Sequence, residues 1–519
     1  MKLWKEKEMQ RTKQSIKNAG FSMGSQILQQ ILRILVRIVF IRKIGQEYLG
    51  LNSVFTELLT ALQLVELGIG PAMAYSLYKP LAENNTEKVK SLMNLFKKAY
   101  RIIGTIILLG GIAFTPFYGF FINEIPDIPN LNLIYIMFVF DTAISYFYSY
   151  YRILLVSDQK KYLDTTIQTS VITVISLVQM GVIAVTKNYE LYLAIQVIGT
   201  IATNFIASKV ALKQYPYLKE KEVKKIDDLT YGEIKKNVFA MVFHKVGSIV
   251  RDATDNLFIS KYIGLAISGV YSNYSMITKA LTTMITQVFG AVLSSVGNLH
   301  ITADDKAQKE VFYNINYINF WIASFCACCF GILAEPFILI IADESYVLDI
   351  FIVILVTVRF YLDIMRKTPW MFCEAAGIYW NGRSKPLLEA GVNLIVSFVL
   401  VKMIGMPGIF IGTVVTIILV DLTIEPYLAF KYVLKGGLAK YYTKYGLYLI
   451  IFAAMFGGTY FVCSLIQGTG ISAFIIKAIT TLILTNAIFV VFTFKTKEFH
   501  YAFGLIKKYS SKILKRKGK

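Results

Sequence analysis

Gln26, Gln30, Arg33 and Arg37 recur at i, i+4, i+7 and i+11 in a stretch otherwise built mainly of Ile, Leu and Val. That spacing puts all four on one face of a helix. Two guanidinium groups inside an apolar run cannot face lipid. Each costs about 2.5–3.5 kcal/mol at the centre of a span by insertion scales, so such groups look into a protein interior or a water-filled path. The pattern returns 218 residues on, as His244, Ser248, Arg251 and Asp255.

A planar guanidinium fork matches the oxygens of phosphate or pyrophosphate. Arg33, Arg37, Arg251 and Lys279 are therefore the candidate ligands for such a group. Gln26, Gln30, Asn52, Gln63, Ser248, Tyr271 and Ser275 suit sugar hydroxyls. Glu57, Glu66, Asp252, Asp255 and His244 are counter-charges or carriers of a proton or sodium ion. The set fits an amphiphile with an anionic phosphate and a glycan-like head. The structural alternative is Arg37 or Arg251 pairing with Asp255 or Glu57 to lock the halves, with His244 a neutral hydrogen-bonded residue. Neither a P-loop nor a His/Asp/Glu set with metal-ligand spacing occurs, so no catalytic residue and no metal is expected.

The elements that position these groups follow from composition. The chain has 519 residues, 55% hydrophobic and only 17% charged. Its mean hydropathy is +0.55. A soluble protein of this size carries about a quarter charged residues. Apolar runs long enough to span recur along the chain, predicting an all-α polytopic membrane protein of about fourteen helices. The expected spans are 18–42, 50–78, 99–122, 131–156, 163–186 and 188–212, then 237–263, 267–298, 310–342, 347–373, 386–404 and 407–430, and finally 444–466 and 471–494. With the N-terminus cytosolic, the outer loops hold only Arg42, Lys43, Lys187, Lys261 and Lys402, as the positive-inside rule requires. Both termini are then cytosolic, in a plasma membrane. The net charge of +21 is a topological signal and an attraction to anionic lipid heads, not a nucleic-acid footprint.

The flanks of the two polar faces also agree. Gly45, Gly50, Ser53 and Phe55 are echoed by Gly264, Gly269, Ser272 and Tyr274 at an offset of 219. This predicts an internal repeat: a lobe over 1–212, a linker or surface helix over 213–236, a second lobe over 237–430, and two extra helices with a basic tail over 431–519. Repeats of this kind place a transporter's substrate site between them. On the tenth span Arg359, Asp363 and Arg366 read as a structural ion ladder; Asp141 and Arg152, and Asp421 with Glu425, are secondary candidates. Cys326, Cys328 and Cys329 read as core-packing residues.

Residues 48–104 open with YLGLNSVFTELLTALQLVELGIGPAMAY, residues 290–299 read GAVLSSVGNL, and residues 366–394 read RKTPWMFCEAAGIYWNGRSKPLLEAGVNL, followed by EPYLAFKYVL at 425–434. This series resembles the Wzx-type polysaccharide flippases of the multidrug/oligosaccharidyl-lipid/polysaccharide exporter superfamily. The resemblance implies two pseudo-symmetric six-helix lobes around a central cationic cavity, plus two C-terminal helices. It further implies a polyprenyl-pyrophosphate-linked oligosaccharide as substrate, moved to the outer leaflet by alternating access for capsule or exopolysaccharide assembly, with a polysaccharide polymerase as a downstream partner. Three rivals are a multidrug/cation antiporter, a peptidoglycan lipid-precursor flippase of the same fold, and a non-transporting membrane scaffold. Four buried cations argue against the antiporter.

Overall fold

The computed structural model describes residues 24–66, 69–220, 222–228, 231, 232, 234, 235, 253–378, 381–468, 470–505 and 507. His244, Ser248, Arg251 and Asp252 lie outside these. The described residues are helical throughout the apolar runs. Nine helices among them are long and apolar enough to cross a membrane, or ten counting one bent pair. The protein is a multi-pass helical membrane protein. Packing divides the chain into Met1–Gly269 and Val270–Lys519.

The first unit begins with α1 (Gly24–Lys43). It continues through α2 (Gln46–Leu62), α3 (Ile69–Ala82), α4 (Thr86–Ala113), α5 (Leu131–Ser157), α6 (Lys161–Thr186) and α7 (Tyr189–Gln214). Then come α8 (253–262) and the start of α9 (Leu265–Thr302). Helix starts are set locally: Asn85 caps α4 by accepting from Lys88 N, and Asn188 caps α7 by accepting from Leu191 N at 2.8 Å. The single span expected over 50–78 is broken. A 3₁₀ turn at Gln63–Glu66 separates α2 from α3. The sequence just beyond, Gly68-Ile69-Gly70-Pro71, carries helix-weakening residues. Phe55 is fully buried and meets Tyr118, Tyr135 and Phe138 edge-on, with centroids 5.1–5.7 Å apart.

The repeat is visible in the backbone. Gly45 immediately precedes α2 at φ 106°, and Gly264 immediately precedes α9 at φ 144°. Both conformations favour glycine, so the two helices start at equivalent places for the same reason.

The second unit contains the rest of α9, α10 (Asp305–Ile341), α11 (Ile350–Met365), α12 (Lys367–Ala375), α13 (Lys385–Ile404), α14 (Met406–Val433), α15 (Leu438–Ser464) and α16 (Ile471–Thr493). Lipid tails are as apolar as Leu, so helices in a bilayer associate by close packing and polar contacts. Aromatic faces supply the packing here: Phe320 stacks on Tyr448, and Tyr361 on Phe452, each with centroids 4.1 Å apart. Cys328 is fully buried in this core. Helix α14 is irregular, with π turns at Ile417–Asp421 and Ala429–Val433 flanking Pro426. Pro426 has no N–H for the carbonyl of Leu422. The Tyr442 hydroxyl donates to that carbonyl instead, at 2.8 Å.

Candidate functional site

The polar face of α1 is partly open. Arg33 is exposed, whereas Gln26, Gln30 and Arg37 are half-buried. Gln29 Nε2 donates to Thr169 Oγ1 at 2.9 Å, docking α1 on α6. Phe40, near the end of α1, packs edge-on against Tyr189 and Tyr192 at the start of α7. Arg37 lies within electrostatic reach of those two tyrosines. Asn52, half-buried on α2, accepts from the Tyr189 hydroxyl at 3.5 Å.

Two carboxylates of the first unit have distinct settings. Glu57 is buried and accepts from Asn256 Nδ2 at 3.3 Å. Asp255, next to Asn256 on α8, is also buried. Glu66 ends the 3₁₀ turn that breaks the second span, three residues past Gln63. Its Oε1 accepts from the Tyr100 hydroxyl at 3.0 Å and its Oε2 from the Tyr146 hydroxyl at 2.8 Å. The turn thus aims a carboxylate at two buried phenols, one from α4 and one from α5. Asp141 accepts from Gln196 at 2.8 Å, while Arg152 pairs with Asp164 at 2.6 Å across the α5–α6 turn.

In the second unit, Tyr271 is buried and accepts from Arg359 Nη1 at 3.3 Å. Ser275 is buried and donates to the Ser272 carbonyl, and Lys279 is exposed on α9. The expected ion ladder is part of something larger. Arg366 is the one residue between α11 and α12. Its fork closes on Glu425, with Nη2 2.8 Å from Oε1 and Nε 3.2 Å from Oε2. Its Nη1 reaches Asp421 at 3.0 Å, Glu389 at 3.3 Å and Asp363 at 3.4 Å. Lys385 Nζ sits 2.8 Å from Glu425, 2.7 Å from Glu389 and 2.5 Å from Asp421.

Sequence reasoning found Asp363, Arg366, Asp421 and Glu425 but not Lys385 or Glu389. A signal was present. Lys385, Glu389, Asn393 and Ser397 fall at successive i+4 positions on α13, and all four are buried. Asn393 Nδ2 donates to Thr413 at 3.0 Å, and Ser397 donates to the Ile409 carbonyl at 3.3 Å. A polar ladder therefore runs from the ion cluster along the α13–α14 contact.

A family model described as polysaccharide biosynthesis protein matches residues 15–294, more than half of the chain. The chain belongs to that family. Among curated proteins none matches it. Solved structures share its fold. An inward-facing multidrug resistance MATE family transporter of the MOP superfamily superposes with TM-score 0.65 at 11% identity, covering 80% of this chain and 98% of its own. The lipid II flippase MurJ, in an inward closed conformation, gives 0.62 at 13% identity over 92% and 98%. The Vibrio cholerae MATE transporter VcmN gives 0.58 at 12% over 83% and 98%. The fold expected from the sequence is the one observed.

Proposed function

We propose that this protein flips a polyprenyl-pyrophosphate-linked oligosaccharide from the cytosolic to the outer leaflet, by alternating access, for capsule or exopolysaccharide assembly. The family match over 15–294 carries this reading, because it joins polysaccharide biosynthesis to a fold shared with a lipid II flippase. The pyrophosphate docks on Arg33, Arg37, Arg251 and Lys279. The glycan meets Gln26, Gln30, Asn52, Gln63, Ser248, Tyr271 and Ser275. Glu57, Glu66, Asp252, Asp255 and His244 supply counter-charge or carry a coupling proton or sodium ion. A polymerase takes the product at the outer face, and both termini are cytosolic.

Mass spectrometry of lipids from cells depleted of this protein tests the reading. Accumulation of a polyprenyl-pyrophosphate oligosaccharide supports it, and the mass gives the repeat unit. Accumulation of the peptidoglycan precursor instead transfers the protein to that substrate. Unchanged lipids with greater sensitivity to cationic drugs would overturn the flippase assignment.

A further inference from the structure

The cluster around Arg366 and Lys385 is unused by the substrate assignment above. It contains three carboxylates that are essentially withdrawn from solvent, Glu389, Asp421 and Glu425, whose side chains are 5%, 0% and 1% exposed. Two cations face them. Asp363 stands at the rim, its side chain 26% exposed. An uncompensated charge in such a setting costs several kcal/mol. All ionised, the buried set carries one negative charge too many.

A metal ion does not fit this surplus. Each of the six oxygens of the three carboxylates already has a cationic nitrogen within 3.3 Å. A metal ion would need several of those oxygens and would stand beside two positive groups. A proton needs one lone pair only. Asp421 is the most deeply withdrawn of the three carboxylates, its side chain 0% exposed, so its ionised form loses the most solvation. We propose that the cluster is a proton-binding centre and that Asp421 holds the proton. Other ionisable groups on surrounding elements are Asp363 on α11, Lys367, Cys373 and Glu374 on α12, Arg383 ahead of α13, and Tyr441 on α15; Cys373 and Tyr441 feel the charge of Glu425.

The location gives the proton a consequence. Asp421 closes one π turn of α14, and π turns concentrate where helices serve function. Gain or loss of the proton changes how strongly α14 is held to Arg366 and to the start of α13. The ladder from Glu389 to Ser397 continues along the same contact.

The test is independent of the transported substrate. Infrared difference spectra of the purified full chain in lipid nanodiscs are recorded across a pH titration for the wild type, D421N and E425Q, with melting followed over the same range. A protonated-carboxyl band in the wild type at neutral pH, lost in D421N and retained in E425Q, is expected. Wild-type melting temperature should fall as the proton is lost on raising pH, and D421N should flatten that dependence. E425Q guards against an effect of removing any one charge. Absence of a protonated carboxyl at neutral pH, or a sodium-dependent rise in melting temperature that D421N abolishes, would overturn the proposal. Neither outcome bears on the lipid-accumulation result, so the two proposals fail separately.

Discussion

Gly50 and Gly269 occupy equivalent positions of the repeat, and each lies against the other's helix. A β-carbon on Gly50 would stand 2.1 Å from the Leu265 carbonyl oxygen, and one on Gly269 would stand 2.3 Å from that of Gln46. Gln46 and Leu265 are themselves equivalent, being the first residues of α2 and α9. The contact is thus reciprocal, as a local two-fold relation demands. Backbone atoms of both helices meet here, so neither site can yield by moving a side chain.

Gly50→Ala and Gly269→Ala are therefore expected to destabilise the protein by about 1–3 kcal/mol or more, as overpacking does. Gly110→Ala is the control, since that helical glycine has nothing within 4 Å of its β-carbon position. It should be neutral or stabilising by about 0.4–1 kcal/mol. Melting of the three variants in detergent measures the contrast. Equal melting temperatures would show that the α2–α9 crossing relaxes freely.

The repeat behind that contact was legible because glycine spacing survives where side chains diverge. Apolar spans were legible for a similar reason, since hydrophobic length is a local property, and nine or ten of them are seen among the described residues. The break after Leu62 was not. Its punctuation, Gly68-Ile69-Gly70-Pro71, lies inside an apolar run that continues past it. Asp421 and Glu425 stood out as an i, i+4 pair, but their cations come from elsewhere, Arg366 from the α11–α12 junction and Lys385 from the start of α13. Arg152 is likewise explained by Asp164, which enters only after a turn. Apart from the i+4 series that holds Lys385 on α13, tertiary pairing of this kind carries no period that a sequence reading can detect.

The Arg366 fork should not tolerate a point charge in its place. Arg366→Lys keeps the charge but cannot reach both oxygens of Glu425 while also holding Asp421. Arg366→Gln leaves buried carboxylates facing one cation, a change that costs about 3–5 kcal/mol in comparable buried pairs. The expected order of melting temperature is wild type, then Lys, then Gln. A Gln variant as stable as the wild type would mean that the cluster is already neutral without Arg366.

Glu66 binds two phenols with two oxygens, so the donors should act together. Tyr100→Phe and Tyr146→Phe each remove one hydrogen bond to a carboxylate, worth about 1.5–3 kcal/mol. Each variant leaves one donor, so the double change should cost more than the sum of the two. A double-mutant cycle on unfolding in detergent reads the coupling. Strict additivity would show that Glu66 finds other partners when either phenol is lost.

The segment after α7 makes the last prediction. Expected as a linker or surface helix, it is fastened to the first unit over much of its described length. The Tyr215 hydroxyl donates to Asp158 at 2.7 Å, and Lys160 Nζ pairs with the same carboxylate at 2.8 Å. Burial, aided by Asp158, pushes the hydroxyl of Tyr217 up to about 12, so it stays protonated throughout the physiological range. Lys90, buried on α4, pairs with Glu87 and, at 2.7 Å, with Glu220. Ser91 donates to the Lys224 carbonyl at 2.7 Å. Such fastening should shield the lysines of this segment from protease. Lys90→Met and Ser91→Ala together release two of the fixings, so tryptic cleavage after Lys219, Lys224 and Lys225 should quicken in the folded protein. High salt should speed cleavage of the wild type, because the Lys90 contacts are ionic and Glu220 is exposed. Cleavage at the same rate in wild type and variant, at low and high salt, would show that the segment detaches in solution without help.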